Sequence, residues 1–68
     1  MNMREARQRR RLSLRACADA LHEFDPSCQI DFATLAQFEA GRRPWPSARA
    51  TLARFFNVTE AELFEDAR

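Results

Sequence analysis

Apolar residues in this chain recur at intervals of three and four, and a few helix-ending residues interrupt the pattern. Leu14, Cys17, Ala18 and Leu21 stand at i, i+3, i+4 and i+7, one face of a helix over residues 14–22. Ser13, just before them, is a hydroxyl N-cap. The stretch 31–41, DFATLAQFEAG, carries both of its own ends. Asp31 can accept from N–H groups one turn in, and Gly41 can turn left-handed to stop a helix. Leu35 and Phe38, with Phe32 one step earlier, make an apolar stripe and predict a short helix over 32–40. Such a helix is marginal alone, so its stripe needs covering partners. Asn2 with Glu5 reads as a capping pair before a helix over 3–10, with Met3, Ala6 and the Arg10 stem facing inward. Ser47 reads as the cap of a helix over 48–56 whose apolar set is Leu52, Ala53, Phe55 and Phe56, with Asn57 as a left-handed terminus. Thr59 with Glu62 is a capping box before a short helix over 60–65 that carries Leu63 and Phe64.

Two segments fall outside this periodicity. Residues 23–30 cannot continue the preceding helix, because Pro26 disfavours helical geometry at Asp25. They form a loop that is long for helices expected to pack closely. Arg42-Arg43-Pro44-Trp45-Pro46 is an extended connector. Trp45 has two readings, packing over the following helix or standing out as an anchor for a partner. The expected architecture is all-α, five short helices in one domain of 68 residues, with a core thin enough to welcome a partner subunit.

Charge sharpens the picture through its placement. All eleven basic residues are arginine, and the net charge is only +1. Residues 1–15 carry a net +5, residues 19–31 a net −4, residues 39–54 a net +3 and residues 60–68 a net −3. Two basic segments that meet in space would make a positive face. Solvated helix faces matched to helix dipoles are the alternative. No apolar run approaches the roughly 20 residues of a membrane span. The first fifteen residues lack the apolar centre of a signal peptide. Cys17 and Cys28 are not spaced as a metal pair, and a reduced, cytoplasmic setting is the default. His22, Cys17, Cys28 and Asp25 are the residues that could hold zinc, but Cys17 lies on the core stripe and reads as a small buried hydrophobe. No nucleophile–base pair and no phosphate-cradling glycine loop is visible, so neither an enzyme nor a cofactor is expected.

Taken in order, several short pieces resemble the helix-turn-helix DNA-binding domain of the Cro and phage-repressor type, shared with xenobiotic-response-element-type regulators. Leu12-Ser13 is similar to the family's Leu-Ser opening of helix 2, and Cys17-Ala18 stands where it has an apolar residue and Ala. Leu35, Phe38, Glu39 and Gly41 resemble the end of its recognition helix, and Arg42-Arg43-Pro44 the basic stretch that follows. Leu52-Ala53, Phe56-Asn57-Val58-Thr59 and Leu63-Phe64 resemble its closing pattern. The chain departs from the family at three places: the turn before the recognition helix is longer, Leu14 replaces a frequent Gln, and Arg11 replaces a Gly.

The resemblance implies a recognition helix in the major groove and a second helix across the backbone. Phe32, Ala33, Thr34 and Gln37 would then face bases, with Gln37 suited to adenine N6/N7 and the apolar groups to thymine methyls. Phe32 has a core or loop-packing role as its alternative. Ser13, Leu14, Arg15, Arg10, Arg42 and Arg43 would contact phosphates, the first three at the open N-terminus of helix 2. Arg7 and Glu39 would form the family's partly buried ion pair, or else be two unrelated surface charges. A homodimer would be joined through Phe55, Leu63 and Phe64, unless Phe64 closes the monomer core instead. The function implied is a transcriptional repressor of phage or mobile-element type. A protein-interaction module on the same scaffold and an antitoxin-like DNA-binding partner are the rivals.

Overall fold

Helix boundaries in the computed structural model, which describes residues 2–64, follow the capping residues closely. Helix α1 (Met3–Arg9) opens with a reciprocal capping box between Asn2 and Glu5. Helix α2 (Leu14–Phe24) is capped by Ser13, whose hydroxyl accepts from the Ala16 N–H at 3.0 Å. Helix α3 (Phe32–Glu39) is capped by Asp31, which accepts from the Thr34 N–H at 2.8 Å. Helices α4 (Pro46–Phe56) and α5 (Glu60–Leu63) complete the set, with a second capping box from Thr59 and Glu62 on α5. Among the described residues there are five helices and no strand, so the chain is all-α.

Helices α1 and α3 each end one residue earlier than expected, at Arg9 and Glu39, and the larger differences lie in α2 and α4. Helix α2 runs two residues beyond His22, because the restriction that Pro26 imposes acts only on Asp25, which is extended. Helix α4 starts at Pro46 rather than Ala48, and Ser47 is inside it, not its cap. Proline suits the first helical position, where its fixed φ is already helical and no N–H acceptor is needed. Trp45 occupies the cap position without a side-chain hydrogen bond. Helix α5 stops at Leu63 with Phe64 as its C-cap, short of the expected 60–65, and Glu65 lies outside the described residues.

Three helices end on left-handed or positive-φ residues. Gly41 has φ 121°, Asn57 φ 59° and Arg11 φ 57°. At Arg11 the chain folds back with Arg11 N–H donating to the Gln8 carbonyl at 2.9 Å and Leu12 N–H to the Arg7 carbonyl at 3.3 Å. These are the two bonds of a Schellman motif, here closed by a residue with a Cβ.

Helix α3 packs against α1 and α2, and α4 packs against α2 and α5. Leu21, Ile30, Leu35, Leu52, Leu63 and Cys17 are the largest fully buried side chains. Met3, Ala6, Phe38, Ala48 and Phe56 join them, with Leu12, Leu14, Phe55, Val58 and Phe64 packed partly buried around the rim. The long turn contributes Cys28 and Ile30 to this core. Alternate residues of an extended segment point the same way, so the pair at i, i+2 enters together while Gln29 stays exposed. Trp45 is edge-to-face with Phe38 on α3, ring centroids 5.5 Å apart, and is 38% exposed.

Candidate nucleic-acid interface

The packing of α1 against α3 brings Arg7 and Glu39 together from positions far apart in sequence. Arg7 Nε donates to Glu39 Oε2 at 2.7 Å and Nη2 to Oε1 at 3.1 Å. The remaining Nη1 donates to the Leu12 carbonyl at 2.8 Å. Side-chain exposures of 12% and 11% make the pair largely desolvated. The bond to Glu39 raises the Arg7 pKa further, so its charge is constant. A pair of this kind sets how α1 meets α3 more than it adds net stability.

Once α3 is docked by that pair and by Leu35 and Phe38, its opposite side is open. Phe32 is 42% exposed, Ala33 and Gln37 are exposed, and Thr34 is half-buried. Phe32 therefore lies outside the core. The start of α2 lies beside the start of α3: the Arg15 guanidinium stands 4.5 Å from the centroid of the Phe32 ring. Ser13 is occupied as a cap, while Leu14 and Arg15 sit in the first turn, where backbone N–H groups have no acceptor within the helix.

At the far end of α3, Gly41 N–H donates to the Phe38 carbonyl at 3.1 Å and Arg42 N–H to the Gln37 carbonyl at 2.9 Å. This Schellman closure sets the Arg42 and Gln37 side chains next to each other. Arg42 Nη1 donates to Gln37 Oε1, and its guanidinium lies 5.9 Å from the ring centroids of both Phe38 and Trp45. Arg43 is exposed. Arg4 and Arg49, which the sequence did not single out, line a cleft of about 340 Å³ together with Arg42 and Arg43. Arg49 is shared with Glu60 at 3.2 Å and with the Phe64 ring at 5.0 Å. Only the fold joins residue 4 to residue 49, so no local pattern could have found this grouping.

Arg10 is exposed. Its guanidinium lies over Phe55 and Phe56, 5.1 and 5.5 Å from their centroids, at the end of α4.

The acidic turn packs toward α4. Asp25 accepts from the Ser27 hydroxyl at 2.6 Å and N–H at 3.1 Å, with a longer contact to the Thr51 hydroxyl at 3.4 Å. The Ser27 bonds hold the Asp25 carboxyl below its ordinary range. Residues of the turn and the start of α4, including Asp25, Cys28, Trp45 and Thr51, line a second cleft of about 340 Å³.

The predicted dimer residues fare differently. Leu63 is 1% exposed and belongs to the monomer core, so its side chain is not available to a second subunit. Its helix is short, but α4 covers it. Phe64 is half-buried under Arg49, and its backbone forms an antiparallel bridge with Asn2. Phe55 is half-buried and packs edge-to-face with Phe56 at 4.9 Å and Phe24 at 5.6 Å. Phe24, which the sequence reading passed over as part of the loop, is 46% exposed.

Cys17 and Cys28 are free, buried thiols, and burial pushes the Cys17 thiol up to about 11. Among the described residues no group of three or more His, Cys, Asp or Glu side chains is placed to hold a metal ion. No described helix is long and apolar enough to cross a membrane. Neither a family model, nor a curated protein, nor a solved structure matches the chain.

Proposed function

We propose that the chain is a sequence-specific DNA-binding regulator of the Cro and phage-repressor type, a repressor acting as a homodimer, with α3 in the major groove and α2 across the backbone. The observation that carries this reading is the open outer side of α3 with an arginine touching each end of it, Arg15 at Phe32 and Arg42 at Gln37. Phe32, Ala33, Thr34 and Gln37 face the bases. Arg15, Arg43 and the N–H groups at the start of α2 hold phosphates on either side. The Arg7–Glu39 pair gives α3 its angle on the scaffold. The partly exposed Phe24 and its neighbour Phe55 are the apolar patch open to a second subunit.

The rival reading is a protein-interaction module in which the acidic turn or α3 itself binds another protein, and an acidic turn lying over α3 would favour it. The exposure of Phe32, Ala33 and Gln37, and the turn's contacts with α4, favour DNA.

Fluorescence anisotropy with labelled duplexes from the flanking genome tests the proposal. Affinity should fall steeply with salt, and Arg15→Ala and Arg43→Ala should each weaken binding to all duplexes and reduce the salt slope by about one. Absence of binding at low salt would overturn it.

A further inference from the structure

Gln37 and Arg42 are joined twice, once through the backbone and once through their side chains. The backbone bond, Arg42 N–H to Gln37 carbonyl at 2.9 Å, is part of the helix closure at Gly41 and would survive any side-chain change at 42. The side-chain bond fixes which way the Gln37 amide points. A guanidinium carries only donors, so the Gln37 atom that faces it must be the carbonyl oxygen Oε1. The Nε2 amino group then points away from Arg42. The rings of Phe38 and Trp45, both 5.9 Å from the Arg42 guanidinium, hold the cation in place by cation–π attraction.

A free glutamine reads adenine by accepting from N6 and donating to N7. In this pair Arg42 takes one of the two lone pairs of Oε1, and the cation against it disfavours the approach of a second donor. What remains for a base is a donor group beside a positive charge. Guanine presents two acceptors, N7 and O6, on its major-groove edge, and adenine presents one acceptor and one donor. We propose that Arg42 orients Gln37 to read guanine instead of adenine, with Gln37 touching the base and Arg42 acting as the positioning residue. Arg42 is thereby reassigned from a phosphate arm. This inference rests on the DNA-binding reading above.

In vitro selection from a randomised duplex library, with the full chain and three variants, tests it. The unaltered protein should enrich a site with guanine at one position per half-site, and Gln37→Ala should lose the preference there alone. Arg42→Ala frees Oε1 and should move that single position from guanine toward adenine by about tenfold, leaving the other positions unchanged. Arg42→Lys, which restores a donor to Oε1, should return the preference part of the way. Far-ultraviolet circular dichroism confirms that each variant is folded. Adenine at the Gln37-dependent position in the unaltered protein, or the same base with and without Arg42, overturns the inference while leaving DNA binding intact. If no duplex is enriched, DNA binding fails and the inference with it.

Discussion

Arg7 holds Glu39 through two parallel hydrogen bonds across the α1–α3 contact, and spends its third nitrogen on the Leu12 carbonyl that leads into α2. One side chain thus ties together the three helices that support the open side of α3. Removing it leaves a carboxylate that is largely excluded from water and has lost both of those donors. Arg7→Ala should cost about 3 kcal/mol, the low end for a broken buried pair. In a domain this small that is a fall of about 12–24 °C in thermal midpoint, read by circular dichroism. Replacing both partners, Arg7→Met with Glu39→Leu, should recover most of the loss; a single-variant shift near zero would mean the pair is solvated in solution.

Arg11 closes α1 with φ 57°, a conformation that crowds the Cβ of any residue except glycine. Arg11→Gly should raise stability by about 1 kcal/mol. The side chain is exposed, so nothing packed is lost. Urea denaturation would show a higher midpoint with an unchanged slope.

Asp31 and Glu62 accept backbone N–H bonds from Thr34 and Thr59, and Asp25 accepts the Ser27 hydroxyl and N–H; each is held below its ordinary pKa range. The unfolded chain therefore binds protons that the folded chain does not. These groups stabilise the fold above the unfolded carboxylate pKa of about 4, and the contribution is lost as pH falls through the lower folded values. Asp31→Asn keeps a capping oxygen that does not titrate. Its urea midpoint should match the parent near neutrality and fall less steeply toward acid pH.

Phe64 touches Arg49, its backbone bridges to Asn2, and its helix buries Leu63. Phe64→Asp should destabilise the monomer by about 2 kcal/mol, the order of a lost aromatic burial. A thermal melt paired with sedimentation separates the alternatives. A variant that stays fully stable and only dissociates would make Phe64 a dimer anchor.

Helix positions were readable from the sequence because their causes are local. Asn2 with Glu5, Ser13, Asp31 with Gly41, and Thr59 with Glu62 each act within a few residues, and each caps or closes the helix its position predicts. The stripe of Cys17, Ala18 and Leu21 is a period in the chain and lies inside for the same reason. Tertiary structure decided what depends on partners distant in sequence. Ile30 is buried because the long turn folds back onto the helices, and Leu63 is interior because α4 covers a helix too short to show a face. Arg10 lies over the rings of Phe55 and Phe56, while Arg4 and Arg49, far apart in sequence, line one cleft. Periodicity specifies which side of a helix is apolar, but the identity of the neighbour on each side is set only when the helices pack.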